Sequence, residues 1–395
     1  MEEEFAALAD PRFYIQALKE LKSLFPNAEF KRVAQDSSTS VIFASCKNCR
    51  GEFDFGTPLS YVYEIFPVFT FIKDIDAEYF VVAENVFNMI LGLSSEKKSF
   101  RIEVKKVDYK SEEHAKDLEV KIGREIESLG LVADLKNPAL QINIVLTSRG
   151  AIIGLQSLAK RSGLDAFRYF NKSNPVHINR SEFKLIEAVE HFGISIKEGA
   201  RCIDVGSAPG GWTHFLLSNG AKVLAIDSAF MSYDLMPKQS RILVVLNDYS
   251  KNAALQEKAK ARKIEAKSMK EFEELAAKSD IFENYDLVHL VFNMSNALPP
   301  AFELLGRFSM LAIDINKEPD EAAAVVALLG RFLAPGSAII ITIKMPEPKP
   351  EHYIEKARSL LSKFSSEIKF AKLRHNRQEL TAFAIFKAPS DRPLP

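Results

Sequence analysis

The stretch "DVGSAPGGWTHFLL", residues 204–217, decides how the second half of the chain folds. It opens as the end of an apolar strand, "RCIDV" at 201–205. It breaks on Gly206, Ser207, Ala208, Pro209, Gly210 and Gly211, then resumes as a helix carrying the chain's one tryptophan, Trp212. Small residues between a strand and a helix let backbone come close to a ligand that side chains would hold away. The turn has neither the G-x-G-x-x-G spacing of a dinucleotide site nor the lysine of a phosphate loop.

Outward from this turn, apolar strands alternate with helices. The strands are "KVLAIDS" (222–228), "RILVVLND" (241–248), "YDLVHLVFN" (285–293), "MLAIDI" (310–315) and "AIIITIK" (338–344). Helices are predicted over 210–219, 251–278, 300–307, 318–333 and 350–364. That alternation predicts a parallel sheet covered on both faces. The last two strands, in "FAKLRHN" (370–376) and "LTAFAIFK" (380–387), are too close for a crossover helix and predict an antiparallel hairpin with Asn376 near its turn.

Acids stand at the first three strands of this half: Asp204, Asp227 and Asp248. A carboxylate on the second strand can accept from both ribose hydroxyls, and one on the third can accept from an adenine amino group. These features suggest a nucleoside ligand without phosphates, and S-adenosylmethionine fits. Its ammonium would face Asp204, its carboxylate the helix start at 210–211, its ribose Asp227 and its adenine Asp248. The competing reading is a structural turn whose acids only cap helices.

The first half reads as α+β. "PRFYIQALKELKSLFP" (11–26) has helical spacing, "STSVIFASC" (38–46) and "YVYEIFPVFTFI" (61–72) read as strands, and "EYFVVAENVFNMILGL" (78–93) as a strand running into a helix. "SFRIEVKKVD" (99–108) is a strand, a helix follows a capping-type start at Ser111, and "LKNPALQINIVLTSRGAIIGLQSL" (135–158) is strand, turn at Arg149-Gly150, strand. Between the halves the chain is locally basic, with aromatic residues Phe167, Tyr169 and Phe170 interleaved. Cations there can neutralise phosphates while flat rings stack on unpaired bases. Arg149, Lys160, Arg161, Arg168, Lys172 and Arg180 are the candidate RNA contacts.

Composition narrows the class. The 395 residues exceed one compact core and carry no net charge, 47% hydrophobic and 26% charged residues. No apolar run reaches the roughly 20 residues of a membrane span, and the acidic start is unlike a signal peptide, so a cytoplasmic protein is expected. The lone pair Cys46/Cys49 lacks the further ligands of a zinc site and reads as incidental surface thiols, with a redox pair as the alternative, and the histidines have no metal-ligand spacing. No metal and no membrane partner are expected.

The P-G-G-W-T turn closely resembles the first motif of the FtsJ-like ribose 2′-O-methyltransferases, and "NPALQINIVL" (137–146) resembles the end of a THUMP domain, a module of RNA-modifying enzymes. Together they resemble the RlmM-type enzymes, which act on large-subunit ribosomal RNA. The resemblance implies an α/β fold: a Rossmann-like class I methyltransferase domain with a C-terminal antiparallel hairpin, preceded by an α+β ferredoxin-like/THUMP region. The implied division is 1–68 ferredoxin-like, 69–157 THUMP-like, 158–179 basic linker, 180–388 methyltransferase with 250–309 as an insertion, and 389–395 as a tail.

It also implies a Lys-Asp-Lys-Glu tetrad. "NRSEFKLIEAVEHFGI" places the first lysine at Lys184, "GSAIIITIKMPEPK" the second at Lys344 and "RHNRQELTAFAIF" the glutamate at Glu379. The acid falls on Asp314 in "DINKEP"; the rival segment "DLVHLVFNMSNALPP" carries Asn293 there. Lys344 is expected to be the base, Lys184 to steady the developing alkoxide, and the two acids to orient the amines. Crowding two partly buried lysines predicts a lowered pKa for at least one. The implied substrate is ribosomal RNA, with transfer RNA next; a non-catalytic RNA-binding protein that keeps the fold is the alternative of another class.

Overall fold

The computed structural model describes residues 2–47, 59–73, 79–93, 99–110, 112–136, 138–157, 178–247, 252–258, 264–293 and 298–387. The chain divides into two units, Met1–Ser173 and Asn174–Pro395. Among the described residues, no helix is long and apolar enough to cross a membrane.

The first unit is built on strands β1 (Glu2–Ala9), β2 (Glu29–Gln35), β3 (Ser40–Lys47), β4 (Val62–Ile72), β5 (Ser99–Lys106), β6 (Val132–Ala133), β7 (Leu140–Thr147) and β8 (Gly150–Ser157). They lie in the order β2-β3-β1-β4-β8-β7-β5-β6. The first part of β4 pairs with β1, from Val62 to Pro67, and its last part pairs with β8, from Val68 to Ile72. One strand therefore carries the sheet through residues 68/69, where the sequence suggested a division.

Two expectations are corrected in this unit. Tyr79–Leu93 is helix throughout rather than a strand entering a helix. Val82, Ala83, Val86 and Ile90 bury at helical spacing in a core with Leu118, Ile122 and Ile126 of helix Ala115–Ser128. The local valines that suggested a strand are overruled by that stripe. Cys46 is buried and disulfide-bonded rather than an incidental surface thiol; it ends a strand whose inner face packs on the core. Helix Ala115–Ser128 starts with His114 as its N-cap; Ser111 lies outside the described residues.

The second unit holds β9 (Arg201–Val205), β10 (Lys222–Asp227), β11 (Ile242–Leu246), β12 (Glu265–Ser268), β13 (Leu287–Val291), β14 (Phe308–Ile313), β15 (Leu333–Lys344), β16 (Ser365–Ala371) and β17 (Glu379–Phe386). Their order is β12-β11-β13-β10-β9-β14-β15-β17-β16. The pairings from β12 to β15 are parallel, and β17 runs antiparallel to both β15 and β16. Helices flank the sheet, among them Glu182–His191, Gly211–Ser218, Met269–Lys278, Pro319–Leu329 and Pro350–Leu361. Strands buried on both faces need apolar residues at nearly every position, as in Ile242–Leu246 and in Leu287–Val291, where the one polar side chain, His289, is buried against the Tyr233 hydroxyl.

The chain leaves β9 toward β10 on one side and later returns through β14 on the other, so the strand order reverses at β9. Ligands of open α/β sheets bind outside the strand ends at such a reversal. The region expected to be one long charged helix, 251–278, instead holds helix Asn252–Lys258, strand β12 and helix Met269–Lys278. Ser268 and Glu271 form a reciprocal cap at the start of the last. Residues 300–304 form a 3-10 turn rather than an α-helix.

Candidate active site

The glycine turn is fixed against the neighbouring strand end. Gly206 has φ +79°, and a Cβ there would sit 2.6 Å from the carbonyl oxygen of Asp314. No side chain fits. The Gly206 amide donates to Ile226 O at 3.0 Å, and the Asp314 amide donates to Val205 O at 3.0 Å. Gly210, with φ +115°, turns the chain into helix Gly211–Ser218. The Trp212 indole is buried and donates to the carbonyl of Ser181 at 2.7 Å.

Asp204 is fully buried. Its Oδ2 accepts from Thr213 Oγ1 at 2.6 Å, while Oδ1 has no hydrogen-bond partner among the described residues. Burial pushes its carboxyl up to about 7; the Thr213 hydroxyl pulls the other way, and the charges of Asp314 and Asp227 add to the rise. Ser207 is also buried, with an unpartnered Oγ. Asp227 is held by the backbone, its Oδ2 accepting from Ala208 N at 3.0 Å and its Oδ1 from Ala229 N at 2.9 Å. A cleft floored by backbone, with an orphaned buried carboxylate oxygen and hydroxyl, suits a ligand that brings a cation and hydrogen-bond donors.

Four side chains meet beside this turn. Lys344 Nζ lies 3.1 Å from Asp314 Oδ1 and 2.7 Å from Glu379 Oε1. Lys184 Nζ lies 3.3 Å from Asp314 Oδ2 and 2.6 Å from Glu379 Oε2. Each carboxylate bridges both amines, one oxygen apiece. The side chains are 12–19% exposed. Lys344 and Glu379 are directly opposite in the β15–β17 ladder, Asp314 follows β14, and Lys184 stands on helix Glu182–His191.

The expected direction of the lysine pKa is corrected here. Burial does disfavour the Lys344 ammonium, but Asp314 and Glu379 outweigh it and hold the amine above its ordinary value. Burial opposes the Asp314 charge too, yet Lys184 and Lys344, with hydrogen bonds from Ser181 and Lys344, hold that carboxyl below its ordinary value. Two acids lie between the amines, so attraction wins over like-charge repulsion.

Sequence reasoning passed over Ser181 and Glu182. The Ser181 hydroxyl donates to Asp314 Oδ2 while its carbonyl holds Trp212, so this residue ties the ligand turn to the charged cluster. Glu182 is buried, accepting from Ile178 N at 3.1 Å and contacting His214 Nδ1 at 2.7 Å. The only signal for either was their position beside Lys184 at a helix start. Of the candidate RNA contacts, Arg149 and Arg180 are exposed, on different units; Lys160, Arg161, Arg168 and Lys172 lie outside the described residues, as does Asp248. Among the described residues no group of acids, histidines and cysteines could hold a metal ion.

Residues 177–325 match the FtsJ-like methyltransferase family, and this stretch is an FtsJ-like methyltransferase domain. The chain is 54% identical over 50 residues to ribosomal RNA large subunit methyltransferase E of Acidiphilium cryptum, covering 12% of this chain and 22% of that protein. It is 34% identical over 98 residues to the Granulibacter bethesdensis protein of the same name, covering 22% of this chain and 40% of the relative. With ribosomal RNA large subunit methyltransferase M of Colwellia psychrerythraea it shares 35% over 115 residues, 26% of this chain and 30% of the relative. The chain thus matches well under half the length of these curated relatives. Among solved structures, TrmN from Thermus thermophilus aligns over 98% of this chain and 99% of its own at 14% identity, with a TM-score of 0.35.

Proposed function

We propose that this chain is an S-adenosylmethionine-dependent RNA ribose 2′-O-methyltransferase whose substrate is large-subunit ribosomal RNA. The observation that carries the reading is the ring of Lys184, Asp314, Lys344 and Glu379, closed by ion pairs of 2.6–3.3 Å and set against the glycine turn through the Gly206–Asp314 contact.

S-adenosylmethionine supplies a methyl group already activated by a sulfonium, so the difficulty lies in the acceptor, a sugar hydroxyl that hardly ionises near neutral pH. Asp204 Oδ1 and Ser207 Oγ are suited to its amino-acid end and Asp227 to its ribose. Lys344 Nζ takes the proton from the 2′-hydroxyl as the oxygen is methylated. Lys184 stabilises the negative charge that develops on that oxygen. Asp314 and Glu379 each grip both amines, fixing where the acceptor oxygen can sit. The basic, aromatic stretch and the THUMP-like first unit would hold the RNA.

The reading is tested by mass spectrometry of ribose methylation in ribosomal and transfer RNA, with and without the gene. One ribose methyl group in large-subunit RNA should disappear and return with the purified protein and S-adenosylmethionine. A loss confined to transfer RNA would transfer the assignment there, and unchanged methylation in both would end the enzyme reading.

Ser181→Ala tests the link between turn and ring. It removes the hydroxyl from Asp314 but keeps the carbonyl that holds Trp212. Cofactor affinity should stay constant while kcat falls roughly tenfold, the scale of one hydrogen bond to a charged group. Freed of that donor, Asp314 would grip the lysines more tightly, so the alkaline rise of kcat should move to higher pH. Unchanged kcat and pH profile would make Ser181 a spectator.

A further inference from the structure

We propose that the inserted strand β13, through Asn293 at its end, supplies the adenine contact that the sequence assigned to Asp248. The inference rests on reading the cleft as an S-adenosylmethionine site. Its basis is the sheet order: β13, not β11, is the strand beside β10.

Asp227 pairs with Val291, and Val291 also pairs with Leu246, so the ends of β10, β13 and β11 lie level. Neighbouring strands are about 4.8 Å apart, which sets β11 about 10 Å from β10. The sequence reading put ribose on Asp227 and adenine on the next strand. In space the next strand ends in "VFN". Phe292 N donates to Asp227 O at 3.0 Å, so the pairing persists to the level of the ribose acid. Burial stops there: Val291 is 4% and Phe292 6% exposed, and Asn293 is the first exposed residue. The first exposed residue of β13's chain beyond the partner of Asp227 is therefore Asn293, two positions on and so on the same face of the strand as Val291.

The chemistry of an amide suits this place. An asparagine can accept from the adenine 6-amino group and donate to a neighbouring ring nitrogen, whereas a carboxylate can only accept. This also gives residues 250–309 a task. Part of the insertion enters the sheet between two strands that would otherwise adjoin and takes over one wall of the ligand site.

Calorimetry with S-adenosylhomocysteine and with its analogue lacking the adenine 6-amino group tests this without turnover. Wild-type protein should bind the analogue roughly tenfold more weakly, the worth of one well-placed hydrogen bond. Asn293→Ala should bind both ligands alike, somewhat more weakly than wild type binds the analogue because the bond to the ring nitrogen goes as well, and measurable binding certifies an intact site. Asp248→Ala should keep the full tenfold preference. A preference lost in Asp248→Ala, or retained in Asn293→Ala, overturns the assignment, as does wild-type protein that binds the two equally. Wild-type protein that binds neither ligand refutes the cofactor site itself and this inference with it.

Discussion

Lys344→Arg should silence methyl transfer, lowering kcat about 1,000-fold while the affinity for S-adenosylmethionine stays within about twofold of wild type. Arginine keeps the positive charge between Asp314 and Glu379, so ion pairing in the ring survives. It cannot be deprotonated in a protein, so it cannot accept a proton. The substitution therefore separates a base from a fixed charge, and alanine, which removes both, does not. The raised pKa of Lys344 adds a second signature. An amine held above its ordinary value is protonated across neutral pH, so wild-type kcat should climb through the alkaline range as the neutral amine becomes available. The same shift stabilises the fold below the ordinary lysine pKa, and that contribution fades as pH rises through the raised value. The upper end of the rate profile is thus bounded by loosening of the ring. Single-turnover rates at saturating cofactor decide the matter. If the arginine variant retains more than a tenth of wild-type activity, Lys344 acts by charge alone and the proton goes elsewhere.

The residues of the ring came from the resemblance of their segments to those of the FtsJ-like enzymes, and the structure brings the four side chains together. Their meeting also depends on the antiparallel β17, which begins where β15 ends, and on helix Glu182–His191, which carries Lys184. The sign of the lysine shift was not legible, since it depends on carboxylates lying between the amines rather than beside them. The place of β13 was hidden for another reason. "LVHLV" at 287–291 reads as a doubly buried strand, but every central parallel strand reads so, and apolar content does not encode the neighbour. At the other extreme, β1 escaped notice because Glu2, Glu3 and Glu4 made the start look solvated, while Ala6, Ala7, Leu8 and Ala9 are completely buried in the middle of their sheet. Alternation is lost when both faces are covered, and with it the usual mark of a strand.

Asp204→Asn should weaken S-adenosylmethionine binding about 100-fold and yet raise the melting temperature of the free protein at pH 8. The two effects share one cause. Asparagine keeps an oxygen to accept from Thr213, but it removes a negative charge buried without a cation. A carboxyl raised to about 7 binds a proton in the folded chain that the unfolded chain has already released above about pH 4. Stability contributed by the protonated group is therefore lost progressively from about pH 4 to 7, and the loss is complete above it. The neutral amide escapes that loss, so the variant gains stability at alkaline pH and differs little near pH 4. A ligand ammonium is what makes the charge worth keeping, because a charge-assisted hydrogen bond in a dry site is worth up to about 3 kcal/mol. Wild-type affinity should accordingly strengthen from about pH 5 to 7 as Asp204 ionises, and the variant should lose that dependence. Calorimetry and thermal melts across pH 5–8 read both arms. An asparagine variant that binds as tightly as wild type would remove Asp204 from the ligand site, and one that both binds weakly and melts earlier would make it a structural residue of the turn.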